Sequence, residues 1–123
     1  MPINPAFHRF PSEAALVGRL LAAFGELELS VCANASKATG LGDAALAALY
    51  RIRATRSRLE AADGLMRPAY LGYGLEACYA DAFGKVMFCQ TIRNQFAHCN
   101  WARPSSALMQ MHILSFSVQL NTY

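Results

Sequence analysis

Between residues 12 and 100, apolar side chains recur at three- and four-residue steps, the period of one face of an α-helix. Leu16, Leu20, Phe24, Leu27 and Val31 make the first stripe. Ser12 is a side-chain cap for a helix beginning at Glu13, and the pattern fades over Lys37 to Gly40. Gly40-Leu41-Gly42 reads as a turn, with Asp43 as the next N-cap. A second helix is predicted from Ala44 to about Ala62, rich in Ala and Leu at first and in arginine later. Asp63-Gly64 reads as its end, and Pro68 biases Arg67 away from helix and opens a connector. A third long helix is predicted from Leu71 to Asn100, with Leu75, Tyr79, Ala82, Val86, Cys89 and Phe96 on a heptad-like seam. Gly72, Gly74 and Gly84 each weaken it by about 1 kcal/mol relative to Ala, and Gly84 marks a place for close helix approach. Pro104 stops it.

The tail changes period. Leu114, Phe116, Val118 and Leu120 alternate with Ser115, Ser117, Gln119 and Asn121, the spacing of a half-buried strand. Met109, Met111 and Ile113 alternate in the opposite phase, so a strand bends near residues 113 and 114. A helix capped by Ser105 or Ser106 is the rival reading. A strand needs a partner, and a second subunit is the simplest source. The expected organisation is therefore an extended arm over residues 1–11, a helical domain over 12–104, and a tail over 105–123. The fold class is mainly all-α: three long helices plus a candidate C-terminal strand.

Composition adds a partner to this picture. Of 123 residues, 54 % are hydrophobic and 15 % charged, which is apolar for so small a domain and points to a homodimer. A net charge of +3 permits a polyanionic partner without demanding one. The start, Met1-Pro2-Ile3-Asn4-Pro5, has no basic segment followed by a long apolar run, so no secretory leader is expected. Nor is a membrane span expected. Cys32, Cys78, Cys89 and Cys99 lack CxxC spacing, and His8, His98 and His112 stand at no zinc-like interval from them. Reduced, mostly buried cysteines in a cytoplasmic protein without metal or cofactor are expected.

The candidate chemistry lies at the end of the third helix. Continuing the seam past Cys89 reaches Arg93, a cation where an apolar residue is expected. A buried guanidinium needs an acidic or phosphate partner. Asn94 and His98 are four residues apart and share a helix face. Arg93 lies about 140° from His98 on an ideal helix, within reach of its long side chain. A guanidinium, an amide and an imidazole suit a phosphate oxygen better than a metal. Glu28 lies about 50° from the centre of the first helix's apolar face and is the expected counter-charge for Arg93 or His98. The plainer alternative is a structural Glu28–Arg93 ion pair with a satisfied helix-end His98.

The run Ile92-Arg93-Asn94-Gln95-Phe96-Ala97-His98 resembles the signature of the HEPN superfamily: an arginine, a polar residue, then a histidine in the last long helix of a small helical domain. Elsewhere the resemblance is architectural only: an acidic first helix (Gly25-Glu26-Leu27-Glu28), a connecting helix and the motif helix. It implies an antiparallel helical bundle that dimerises with its motif helices facing each other. It also implies a metal-independent endoribonuclease with a composite site at the dimer cleft. His98 would then be the general acid or base on the ribose 2′-OH and the leaving 5′-oxygen. Arg93 would hold the scissile phosphate, and Asn94 would position either group. A toxin or defence role with an antitoxin partner follows from the same resemblance. Toxin members paired with nucleotidyltransferase antitoxins carry a tyrosine two residues after the histidine, where this chain has Asn100.

Two other readings stand beside the nuclease: a non-catalytic HEPN-like module that binds a nucleotide, RNA or a regulatory protein, and a purely structural helical dimer. Asn100 and Trp101, just past His98, are candidate substrate contacts, with Trp101 divided between a site wall and dimer packing. Arg51, Arg53, Arg56 and Arg58 spread around their helix and read as a solvated face interleaved with Glu60 and Asp63. Tyr79 reads as core, and Tyr70 and Tyr73 as candidate stacking surfaces.

Overall fold

The computed structural model describes residues 8–98. From Pro11 onward these form four helices: α1 over Pro11–Thr39, α2 over Asp43–Arg51, α3 over Thr55–Gly72 and α4 over Glu76–His98. Among the described residues there is no strand, and no helix is long and apolar enough to cross a membrane. The chain is an all-α bundle here, with four helices in place of three long ones. The candidate strand over 105–123 lies outside the described residues. His8 and Arg9, at the end of the expected extended arm, are helical.

α1 starts at Pro11, a residue type suited to a first turn because the N–H there lacks an intrahelical acceptor. Its buried stripe is Phe24, Glu28, Val31, Cys32, Ala35 and Ser36. Glu28 is thus in the middle of the apolar face rather than at its edge. Leu16, expected on the core face, is 63 % exposed. α2, α3 and α4 each pack on α1, and α3 also packs on α2 and α4. Leu59 of α3 and Cys32 of α1 are fully buried where these helices meet, with Leu49, Ala62, Met66 and Tyr79 around them.

The predicted second helix is two helices. It breaks at Ile52, whose backbone is extended (φ −74°, ψ 114°). The break is held by Arg58, which reaches back across the turn. Its Nε donates to the Leu49 carbonyl at 3.2 Å and its Nη2 to the Ile52 carbonyl at 2.5 Å. These carbonyls belong to the end of α2, where the helix no longer supplies its regular donors; the Leu49 carbonyl also accepts from the Ile52 N–H at 3.0 Å. The predicted stop at Asp63-Gly64 does not occur, and Pro68 lies inside α3. An interior proline costs a helix about 3 kcal/mol, and tertiary contacts offset it. Met66 is buried, Arg67 bonds Asp63 across one turn at 2.9 Å, and Tyr79 of α4 donates to Asp63 at 2.6 Å.

Just past the end of α3, Gly74 (φ 71°) takes the left-handed conformation that glycine adopts without a Cβ penalty. The Leu75 N–H bonds the Tyr70 carbonyl and the Gly74 N–H bonds the Leu71 carbonyl, both at 3.0 Å. The glycine expected to weaken a helix therefore separates two. At the α1–α2 turn, Gly42 (φ 56°) takes the N-cap position expected of Asp43, which stands in the first turn instead.

The expected seam of α4 is rotated from the face the fold buries. Tyr79 and Gln90 are buried, and Phe83, Val86 and Met87 pack against the core. Leu75, Ala82, Cys89 and Phe96 are exposed. The exposed residues stand seven apart from Leu75 onward, whereas Tyr79 and Val86, from the other half of the seam, face the core, so the fold buries only one side of the stripe that the spacing defines. Gly84, expected at a close helix approach, faces open space. Cys78 and Cys89 are exposed, so the expectation of mostly buried cysteines fails for them and holds for Cys32.

Candidate functional site

Arg93 and Asn94 lie in the second half of α4, both half-buried, and His98 is exposed at its end. The Arg93 Nη1 donates to Asn94 Oδ1 at 2.9 Å. The guanidinium carbon stands 5.9 Å from the centre of the Phe24 ring, which α1 buries in the core. The arginine is thus held from two sides, by an amide on its own helix and an aromatic face on the neighbouring one. Among the described residues it forms no ion pair with a carboxylate. Asn94 uses its carbonyl oxygen on Arg93, which leaves its NH2 donors pointing elsewhere. His98 shares a helix face with Asn94 by its four-residue spacing. Asn100 and Trp101 lie outside the described residues.

Glu28 does not serve this site. Its carboxylate accepts from Arg58 Nη1, and the two side chains are each 11 % exposed. Arg58 also stacks its guanidinium over the Tyr50 ring, 4.6 Å from the centroid. One arginine therefore ties α1, the end of α2 and the start of α3 together. The sequence reading placed Arg58 on a solvated face and gave Glu28 to Arg93 or His98; both assignments are corrected. The available signal was Glu28 itself, since a carboxylate inside an apolar stripe demands a cation. Several arginines competed for that role, and only the helix break at Ile52 brings Arg58 within reach.

The surroundings of this pair are chemically quiet. Burial pushes the Cys32 thiol up, and the nearby Glu28 charge adds to the effect. A thiol held protonated is a poor nucleophile. Burial also raises the Tyr50 phenol, with smaller contributions from Cys32 and Glu28.

A second polar network links α3 and α4. Arg67 holds both oxygens of Asp63, at 2.9 and 3.1 Å, and lies 5.2 Å over the Tyr79 ring. Burial first, and the Asp63 hydrogen bond second, push the Tyr79 phenol well above its ordinary range. Tyr79 stacks with Tyr70, at 4.8 Å, and with Phe83, at 6.0 Å. Its expected place in the core is correct. Tyr70 is half-buried against it, and Tyr73 is 82 % exposed.

No family model matches the chain, and neither a curated protein nor a solved structure matches it.

Proposed function

We propose that this chain is a metal-independent endoribonuclease of HEPN type, acting as a homodimer on RNA in the cytoplasm. The observation that carries the reading is the state of Arg93. Its guanidinium is fixed by Asn94 and Phe24, yet bound by no carboxylate among the described residues. A fixed, unneutralised guanidinium is suited to a phosphate whose charge grows in the transition state.

In this mechanism the ribose 2′-oxygen attacks the adjacent phosphorus as the bond to the 5′-oxygen breaks. The products are a 2′,3′-cyclic phosphate and a 5′-hydroxyl. His98 takes the proton from the 2′-OH, and the second copy's His98 across the two-fold cleft gives one to the leaving oxygen. Arg93 holds the phosphate, and Asn94 positions Arg93. Asn100 and Trp101 contact the flanking nucleotides. A toxin or defence role under an antitoxin follows from the same resemblance. The resemblance of Arg93-Asn94-Gln95-Phe96-Ala97-His98 to the family signature supports the reaction, and the Arg93 geometry supports phosphate as its target.

The test is cleavage of a mixed RNA pool in excess chelator. Wild type should yield cyclic-phosphate ends. His98→Ala should lose about 10²-fold or more in rate, the usual share of acid–base catalysis. Arg93→Ala should lose about 10²- to 10³-fold, the usual worth of one fixed donor to a developing charge. Cleavage unchanged in both variants would overturn the assignment. The same held guanidinium equally serves an HEPN-like module that binds a nucleotide, RNA or a regulatory partner without cutting. RNA binding lost in Arg93→Ala, with no cleavage by wild type, would establish that second reading.

A further inference from the structure

A hollow of about 270 Å³ opens between α1, α3 and α4, lined by Val31, Met66, Tyr79, Phe83 and Val86 among others. Beside it, a second hollow of about 370 Å³ lies between the ends of α1 and α3, and Lys37 and Tyr73 line it. Asn34 and Tyr70 line both, so the two share a wall. The first compartment is almost wholly apolar. The second has an amide, phenols and an ammonium.

Three features make this more than an uncovered apolar face. First, among the described residues no carboxylate lines either hollow. Second, Lys37 has no ion pair among the described residues, whereas Lys85, the only other lysine, is bound to Asp81 at 2.7 Å. Third, the apolar chamber is preformed. The Tyr79 hydroxyl donates to Asp63, which Arg67 holds in place, and Tyr70 and Phe83 both stack with its ring. A wall fixed in this way loses little freedom when a ligand settles on it. Sites for small molecules have this character: a hollow mostly apolar, with a few convergent polar groups that fix orientation.

We infer that these adjoining hollows bind a small amphipathic carboxylate, its apolar body in the α1–α3–α4 chamber and its anionic head over the shared rim beside Lys37. Asn34 and Tyr70, which line both hollows, carry an amide and a phenol that can donate to the same head. A single ammonium with no guanidinium beside it matches one negative charge rather than a polyphosphate. The site uses neither Arg93 nor His98, so it stands independently of the nuclease reading.

Titration of the full chain with phenylbutyrate, followed by amide NMR shifts, tests this. Saturable shifts at residues lining both hollows are expected. Phenylbutanol, which lacks the charge, should bind about fivefold more weakly, and phenylbutylamine, with the opposite charge, and butyrate, without the body, more weakly still. An ion-pair loss of about 1 kcal/mol corresponds to roughly fivefold, so Lys37→Ala should weaken phenylbutyrate by about that factor. Lys37→Glu should weaken it further, and Ala82→Trp, which fills the chamber, should abolish it. Lys37 is exposed, so its variants keep the test decisive if Ala82→Trp does not fold. Equal binding of the amine, the alcohol and the acid would overturn the proposal. So would shifts that follow protein concentration instead of ligand, which would mean that a second copy occupies the groove.

Discussion

Arg58 and Arg93 both meet the buried face of α1, one turn apart, through Glu28 and Phe24: one is used up, the other is held ready. Arg58 is bound by Glu28, two backbone carbonyls and the face of Tyr50. Arg93 is oriented by Asn94 and Phe24, and among the described residues no carboxylate neutralises it. An arginine's role therefore depends on what its donors meet, not on where the hydrophobic pattern puts it. Fully satisfied, it fixes helices. Oriented but unneutralised, it is available to an anion.

The largest expected effect follows directly. Arg58→Ala should destabilise the fold by about 3–5 kcal/mol, because it strands the buried Glu28 carboxylate and frees the carbonyls at the end of α2. Arg93→Ala should cost no more than about 1 kcal/mol, the scale of one ordinary hydrogen bond. Urea denaturation of both variants measures the contrast, and equal losses would erase the distinction between the two arginines. The double variant Glu28→Leu with Arg58→Met sharpens it. Replacing both charges should recover most of the stability that Arg58→Ala loses; the same deficit in both would point to the carbonyl bonds of Arg58 as the main contribution.

A middle-sized effect belongs to the α3–α4 network. Tyr79→Phe removes the hydrogen bond to Asp63 while Arg67 stays in place, and should cost about 1 kcal/mol. The pH dependence has a definite sign. The folded Tyr79 phenol titrates above its unfolded value of 10.0, so between those two values the native state holds a proton that the unfolded state has lost. Its contribution to stability is complete below pH 10.0 and declines as pH rises toward the folded value. Tyr79→Phe should therefore show a shallower loss of stability above pH 10.0 than wild type in parallel thermal melts. An identical alkaline slope would remove Tyr79 from the account. The smallest effect is at the surface. Lys85→Ala breaks the exposed pair with Asp81 and should leave the melting temperature unchanged.

These networks also explain where the helices depart from their local pattern. The helix runs through the stop expected at Asp63-Gly64, where Asp63 is the acceptor that ties α3 to Tyr79 and holds Arg67. Pro68 weakens the local helix, but packing around Met66 carries it through. The break at Ile52 left no proline or glycine to read, because its cause is Arg58 reaching back from the next helix. At the candidate site, the position of Arg93, Asn94 and His98 on the last described helix was legible from spacing alone. The partner of Arg93 was not.

The sequence by itself determined that the described chain is helical, that Tyr79 is core, and that Arg93-Asn94 and His98 share one helix. Each of those follows from local periodicity, which a single stretch of chain contains in full. Tertiary structure alone decided which cation meets Glu28, where the second helix divides, and which face of α4 is buried. Those outcomes depend on residues distant in sequence meeting in space. A carboxylate in an apolar stripe states its need for a cation, but its choice among several arginines is made by the geometry of the packed helices.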